Sequence, residues 1–294
     1  MGTGPLRDRT VVVTGAARGI GEALAHELAR RGAKVALLGH EKKALEAVAA
    51  ALPTATLVRE VDVTDLAALD AAAHDVRTRL APPSAVIANA GVAQGGPFLA
   101  SDPDDWRRVI DVNVVGSAHT ARVFLPDLLA TSGYYLQVAS LAAIGAAPLL
   151  SAYCASKAGV EALAHTLQAE TAHRGVAVGV AYLNWVDTGM VRELDRHGLL
   201  HGLRTSMPPP ARGVSDPGTV AARLVRAVER RRTAVYAPAW LRLVQPLRAA
   251  LPPVVLRVAR HRLPRLEAAA PGGSSGPLGP GGRVDRQADG RRGS

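Results

Sequence analysis

The sequence predicts a doubly wound α/β fold, a parallel sheet held between two layers of helices. Three observations predict it. Short, almost continuous apolar runs alternate with longer segments of helical period along most of the 294-residue chain. A glycine-rich turn follows directly on the first of these runs. No repeat of solenoid period interrupts the alternation. Strands apolar on both faces belong in a parallel sheet covered on both sides.

The elements follow in order. TVVVTG (10–15) reads as a strand running into a glycine turn, and GIGEALAHELARRG (19–32) as a helix stopped by glycine. KVALLG (34–39) is a strand, EKKALEAVAAAL (41–52) a helix and TLVREVDV (56–63) a strand. LAALDAAAHDVRTRL (66–80) is helical, SAVIANAG (84–91) is a strand into a turn, and residues 104–129 form one long helix. YYLQVAS (134–140) is a strand, a helix spans about 152–173, and VAVGVAYL (176–183) is a strand. The segment 190–212 contains MPPPARG and reads as a loop or lid, followed by a helix at 219–232 and a short strand at 233–238. The expected organisation is one domain over 1–238, a basic and apolar extension over 239–268, and a disordered Gly/Pro/Ser/Arg-rich tail over 269–294.

Composition narrows the function classes. A single cysteine, Cys154, excludes an intrachain disulfide and a Cys-rich metal site, and it reads as a small packed residue. His197 and His201 lack a third ligand nearby, so no metal is expected. The start has no apolar leader and no apolar run is long enough to span a membrane, so a cytoplasmic location is expected. Residues 230–294 carry 13 arginines against 3 acidic residues, which accounts for the whole net charge of +10. The tail lacks aromatic residues for base stacking, so nucleic acid is not expected. Trp240, Leu and Val alternate with Arg over 240–266, so this stretch either packs on the body and walls a pocket or touches a membrane surface peripherally. Its prolines at 246, 252, 253 and 264 favour packing over one long helix.

TGAARGIG (14–21) sits where a strand gives way to a helix. Gly15, Gly19 and Gly21, with Ile20 between the last two, let the backbone turn and approach a pyrophosphate at a helix N-terminus. The second strand ends LLGHEKK, with Gly39 where an acid would take the ribose hydroxyl of NAD, followed by His40. Arg18, Lys42 and Lys43 outnumber Glu41, so NADP(H) is favoured and NAD(H) is the alternative. Asp62 and Val63 stand where an adenine edge could be held, and Asn89, Ala90 and Gly91 end the fourth strand. In SAYCASK (151–157), Tyr153 and Lys157 share one helix face. An ammonium near a phenol lowers the pKa of the phenol and fits it to pass a proton to or from an alcohol.

With Asn113 in the helix after NAG and Ser140 thirteen residues before Tyr153, these pieces together resemble the short-chain dehydrogenase/reductase family in its single-domain branch, over roughly residues 7–238. The resemblance implies a Rossmann-like sheet of three layers and hydride exchange between a nicotinamide and an alcohol/ketone pair. It implies Tyr153 as general acid/base, with Lys157 lowering its pKa and holding the nicotinamide ribose. It further implies Ser140 orienting the substrate oxygen and Asn113 supporting a water that links Lys157 to solvent. A homodimer or homotetramer built on the helices at 104–129 and 152–173 is also implied. One departure stands out: Leu183 and Asn184 occupy the place of the family's Pro-Gly, although Val186 and Thr188 remain as nicotinamide contacts. Asn184 can tolerate the backbone a glycine would adopt better than most residues. The apolar segments 141–150 and 189–212 favour a small apolar alcohol or carbonyl substrate. A second reading, motivated by Leu183–Asn184 and the basic tail, is a nucleotide-sensing protein whose C-terminus binds a membrane or partner.

Overall fold

The computed structural model describes residues 4–269 and 273–279. Seven parallel strands form one sheet: β1 (Thr10–Thr14), β2 (Lys34–Gly39), β3 (Thr56–Glu60), β4 (Ala85–Ala88), β5 (Tyr134–Val138), β6 (Ala177–Leu183) and β7 (Ala234–Ala237). Their order is β3-β2-β1-β4-β5-β6-β7. Alternation within a strand divides the apolar residues between two cores. Val12 of β1 faces one core, with helices α3 (Leu66–Arg79) and α6 (Ser151–Thr171) packed over it. Val11 and Val13 face the other, under α1 (Gly19–Arg30), α2 (Lys42–Ala50) and α9 (Pro217–Glu229). This is the three-layer doubly wound sheet expected from the sequence. The strand order reverses between β1 and β4, and the crevice beyond their carboxyl ends is where such sheets bind ligands.

The long helix expected at 104–129 comes as three pieces. Helix α4 (Pro103–Ile110) is capped by Asp102, whose carboxylate accepts from the N–H groups of Asp104 and Asp105. A π-turn follows over Asp111–Val115, and α5 (Gly116–Ala130) completes the run. The extra residue of a π-turn rotates the side chains that follow it, and Asn113 sits inside this one.

The stretch 190–212, expected as a loop, is mainly helical: α7 (Gly189–Arg196), α8 (Gly198–Thr205) and a short turn at Pro209–Arg212. The proline triplet ends helical structure only locally.

Beyond β7 the chain packs on the body, as favoured from its prolines. It does form a helix, α10 (Leu251–Ala269), because Pro252 and Pro253 fall in the first turn, where a missing N–H costs nothing. Among the described residues no helix is long and apolar enough to cross a membrane. The anchor is ionic. Glu161 of α6, buried, accepts from both terminal nitrogens of Arg248 at 2.9 Å and from the Tyr182 hydroxyl at 2.6 Å. Burial raises the Glu161 pKa, but the Arg248, Tyr182 and Gln245 hydrogen bonds outweigh it and hold the carboxyl below its usual range. Removing Arg248 strands a buried carboxylate. Because the arginine side chain is 42% exposed, Arg248→Ala is expected to cost about 2–3 kcal/mol, below the cost of breaking a fully buried pair. Thermal unfolding at pH 7 checks this, and the difference should shrink as acid protonates Glu161.

The tail departs from the expectation of disorder at one place. Pro277–Leu278 pairs antiparallel with Ala93–Gln94. Ser275 exchanges hydrogen bonds with Gly95, its N–H donating to the carbonyl at 2.7 Å and its hydroxyl accepting from the Gly95 N–H at 3.0 Å. The rest of the expected tail lies outside the described residues.

Candidate active site

The glycine turn leaves β1 with Gly15 at φ +65°, a left-handed conformation that favours glycine. A Cβ there would stand 2.8 Å from Ala90 Cα, so the turn lies directly against the end of β4. Gly21 has a different reason, since its Cβ would meet the Gly15 carbonyl oxygen at 2.0 Å. Asn89 locks the two strand ends together, its side-chain amide donating to the Thr14 and Gly15 carbonyls at 3.0 and 3.2 Å. Arg18 caps α1 without supplying a side-chain acceptor. The first-turn N–H groups therefore remain for an anionic ligand.

Of the site residues predicted from the sequence, all but Gly21 and Asn113 line one continuous cavity of about 610 Å³. At its nucleotide end, the carboxylate of Asp62 accepts from the Thr64 N–H at 2.9 Å and from Arg108 at 2.8 Å. Burial raises the Asp62 pKa, but those bonds outweigh it and the group stays below the usual carboxylate range. Arg18 Nε donates to both oxygens of Glu41 at 3.1 and 3.0 Å, so the cation singled out for a phosphate already faces a carboxylate. His40 Nε2 is buried beside this pair without a hydrogen-bond partner among the described residues. An uncapped helix start and a turn with no room for Cβ atoms fit a dinucleotide.

At the other end, Tyr153 and Lys157 project from α6. Lys157 Nζ lies 5.6 Å from the Tyr153 ring centroid and donates to the Val138 carbonyl at 3.2 Å. Ser140 caps the short helix at Leu141–Ile144, accepting from the Ala142 N–H at 3.1 Å, and lines the cavity beside Tyr153. Burial pushes the Tyr153 hydroxyl up to about 12, and the neighbouring Ser140 hydroxyl recovers only part of that rise. The same burial brings Lys157 down to about 8. Loss of water is the largest influence on both groups.

Asn113 stands behind the cavity. Its Oδ1 accepts from the Val92 N–H at 2.8 Å, and its Nδ2 donates to the Val92 carbonyl at 2.9 Å and to Ser156 Oγ at 2.8 Å. It splints the β4 turn to α6, and a Cβ on Gly91 would meet Asn113 Oδ1 at 3.1 Å and Lys157 Nζ at 3.6 Å. Sequence reasoning missed Ser156, although its place one residue before Lys157 puts it one turn from Tyr153.

The Leu183–Asn184 departure has a structural use. Asn184 does not take a left-handed backbone. Its amide donates to the carbonyls of Ala211 and Gly213 at 3.0 and 3.2 Å, tying the end of β6 to the segment that walls the cavity. Thr188 faces the glycine turn, where a Cβ on Gly19 would reach its methyl at 3.0 Å. Cys154 packs against the loop, its sulfur accepting from the Ala147 N–H at 3.3 Å.

Residues 9–198 match the short chain dehydrogenase family. The chain is 33% identical over 184 residues to meso-2,3-butanediol dehydrogenase of Serratia marcescens, covering 62% of this chain and 73% of that protein. It is 31% identical over 191 residues to an uncharacterized oxidoreductase of Staphylococcus epidermidis, 65% of this chain and 83% of the other. Among solved structures, a short chain dehydrogenase/reductase from Burkholderia phymatum in complex with NAD superposes with a TM-score of 0.73 at 27% identity, over 83% of this chain and 94% of that one. Levodione reductase shares the fold, with a TM-score of 0.73 at 23% identity over 79% of this chain and 96% of the other.

Proposed function

The chain belongs to the short chain dehydrogenase family of oxidoreductases, and we propose that it interconverts an apolar secondary alcohol and its ketone with NADP(H). The observation that carries the reading is that Ser140, Tyr153 and Lys157 line one cavity, with the Lys157 ammonium 5.6 Å from the Tyr153 ring centroid. A bound nicotinamide supplies or accepts the hydride. The chain supplies position and the proton. In reduction Tyr153 gives its hydroxyl proton to the carbonyl oxygen, and in oxidation it takes the proton from the alcohol. Ser140 holds the same oxygen. Lys157, between Tyr153 and the ribose site, makes the pocket electropositive as the phenolate forms, and Asn113 fixes the α6 face from which both project. The butanediol dehydrogenase relative agrees with a secondary alcohol as substrate. The apolar lining from Leu141 to Leu150 and from Val191 to Met207 favours a less polar one.

NADP(H) preference is supported by Gly39 in the place of an acid at the β2 end, and by Arg18 and the orphaned His40 Nε2 in the cavity lining. Binding of a 2′-phosphate exchanges Glu41 for phosphate on the Arg18 guanidinium. Glu41→Gln is therefore expected to tighten NADPH by about two- to fivefold, the worth of a half-exposed ion pair, and to leave NADH nearly unchanged. Arg18→Ala should weaken NADPH selectively. Fluorescence titration of both nucleotides checks this, and a wild-type preference for NADH would assign Glu41 to the ribose instead. Assembly as a homodimer or homotetramer through α5 and α6 belongs to the same reading, and light scattering tests it.

A further inference from the structure

The catalytic cavity does not stop at the substrate carbonyl. It continues along α10, where Leu251, Val255, Val258, Arg262 and Leu266 line it at helical spacing. From the first to the last of these the helix rises about 22 Å, at about 1.5 Å per residue. The stripe is held at both ends. A Cβ on Gly145 would meet Leu251 Cδ1 at 2.9 Å, and a Cβ on Gly202 would meet Leu266 Cδ2 at 2.7 Å. Arg262 also donates to the Ser206 carbonyl, pinning α10 to the end of α8. Between those contacts the apolar side chains lack cover: Val254 is 56% and Val258 47% exposed although both line the cavity. Near Tyr153 the side wall is the tail. Leu278 is buried in a cluster with Ala93, Leu150 and Leu194, against which Tyr153 packs, and the Gly279 N–H donates to Glu193 at 2.8 Å.

We infer that this groove is a channel for the apolar tail of an extended substrate, a long-chain alkyl ketone or secondary alcohol whose reacting carbon lies at Tyr153. The inference rests on the alcohol/ketone reading above and adds the substrate class. Continuity with the catalytic cavity selects this occupant over a second protein: the uncovered valines face the same space as Tyr153. Tail and α10 thus act as specificity elements, Leu278 closing the reactive end and Val254 and Val258 meeting the chain.

The test is a series of methyl ketones with alkyl chains from two to about twelve carbons, added below their solubility limits to the protein saturated with NADP⁺. Trp185 and Trp240 line the cavity, so intrinsic fluorescence reads binding without turnover. The dissociation constant should fall by about two- to fourfold per methylene, as apolar burial dictates, and level off once the groove is filled. Val258→Asp should flatten that dependence. Leu256→Asp, on an exposed residue of the same helix outside the cavity lining, should preserve it. Affinity independent of chain length overturns the channel, and so does equal loss in both variants, which would make the helix a surface for lipid or another protein. Turnover with NADPH, measured in parallel, separates the two readings. Graded binding without turnover upholds the channel and overturns the reductase chemistry. Turnover with flat binding does the reverse.

Discussion

Tyr153→Phe is expected to lower kcat for ketone reduction by about a hundred- to ten-thousandfold, the range a positioned general acid supplies, while NADPH affinity changes little. The phenyl ring keeps the packing against the cluster of Ala93, Leu150 and Leu278 and loses only the hydroxyl. Because the proton is donated only as the carbonyl oxygen gains charge, the loss should fall on kcat and kcat/KM together rather than on KM alone. Steady-state NADPH oxidation beside equilibrium NADPH binding measures both. Turnover within a few-fold of wild type would remove Tyr153 from the mechanism.

Lys157→Met should separate function from stability in the opposite direction. Lys157 is 5% exposed, and burial lowers its pKa to about 8 from 10.5. Below pH 8 the ammonium is charged in both folded and unfolded chains, and the folded state carries its full desolvation penalty. Between about 8 and 10.5 the unfolded chain binds more protons, so stability rises with pH as that penalty is relieved. The shift corresponds to about 3 kcal/mol, and loss of the bond to the Val138 carbonyl offsets about 1 kcal/mol. Lys157→Met is therefore expected to be inactive yet more stable at pH 7 by about 2 kcal/mol, with the advantage fading by pH 10. Denaturant unfolding at several pH values checks the sign. A destabilised variant at pH 7 would show that the buried ammonium is already compensated.

What the sequence made legible is what local pattern carries. The apolar runs at 10–14, 34–39 and 85–88 could be placed because a strand buried on both faces is apolar throughout. Gly15, Ser140, Tyr153 and Lys157 could be placed because each sits at a strand end or one turn along a helix. What stayed hidden depends on partners far away in the chain. Glu161 and Arg248 are 87 residues apart, and neither neighbourhood announces the other. Leu278 lies in a glycine- and proline-rich stretch that reads as disordered, and its strand exists only because Ala93–Gln94 presents an edge. The π-turn at Asn113 and the tie from Asn184 to Ala211 follow from packing rather than periodicity. The burial that raises the Tyr153 pKa is hidden for a related reason: the Tyr-x-x-x-Lys spacing reveals the neighbouring charge but not what covers the hydroxyl.

The most direct test of the central claim, a nucleotide-dependent oxidoreductase with Tyr153 at its proton-transfer end, is to saturate the purified protein with NADPH, add the methyl ketone series and follow the nucleotide absorbance. The account predicts that NADPH binds, that absorbance falls only after ketone is added, and that the fall is lost in Tyr153→Phe. NADPH binding with no loss of absorbance on any ketone would contradict it, and would leave the cofactor as a signal rather than a reactant.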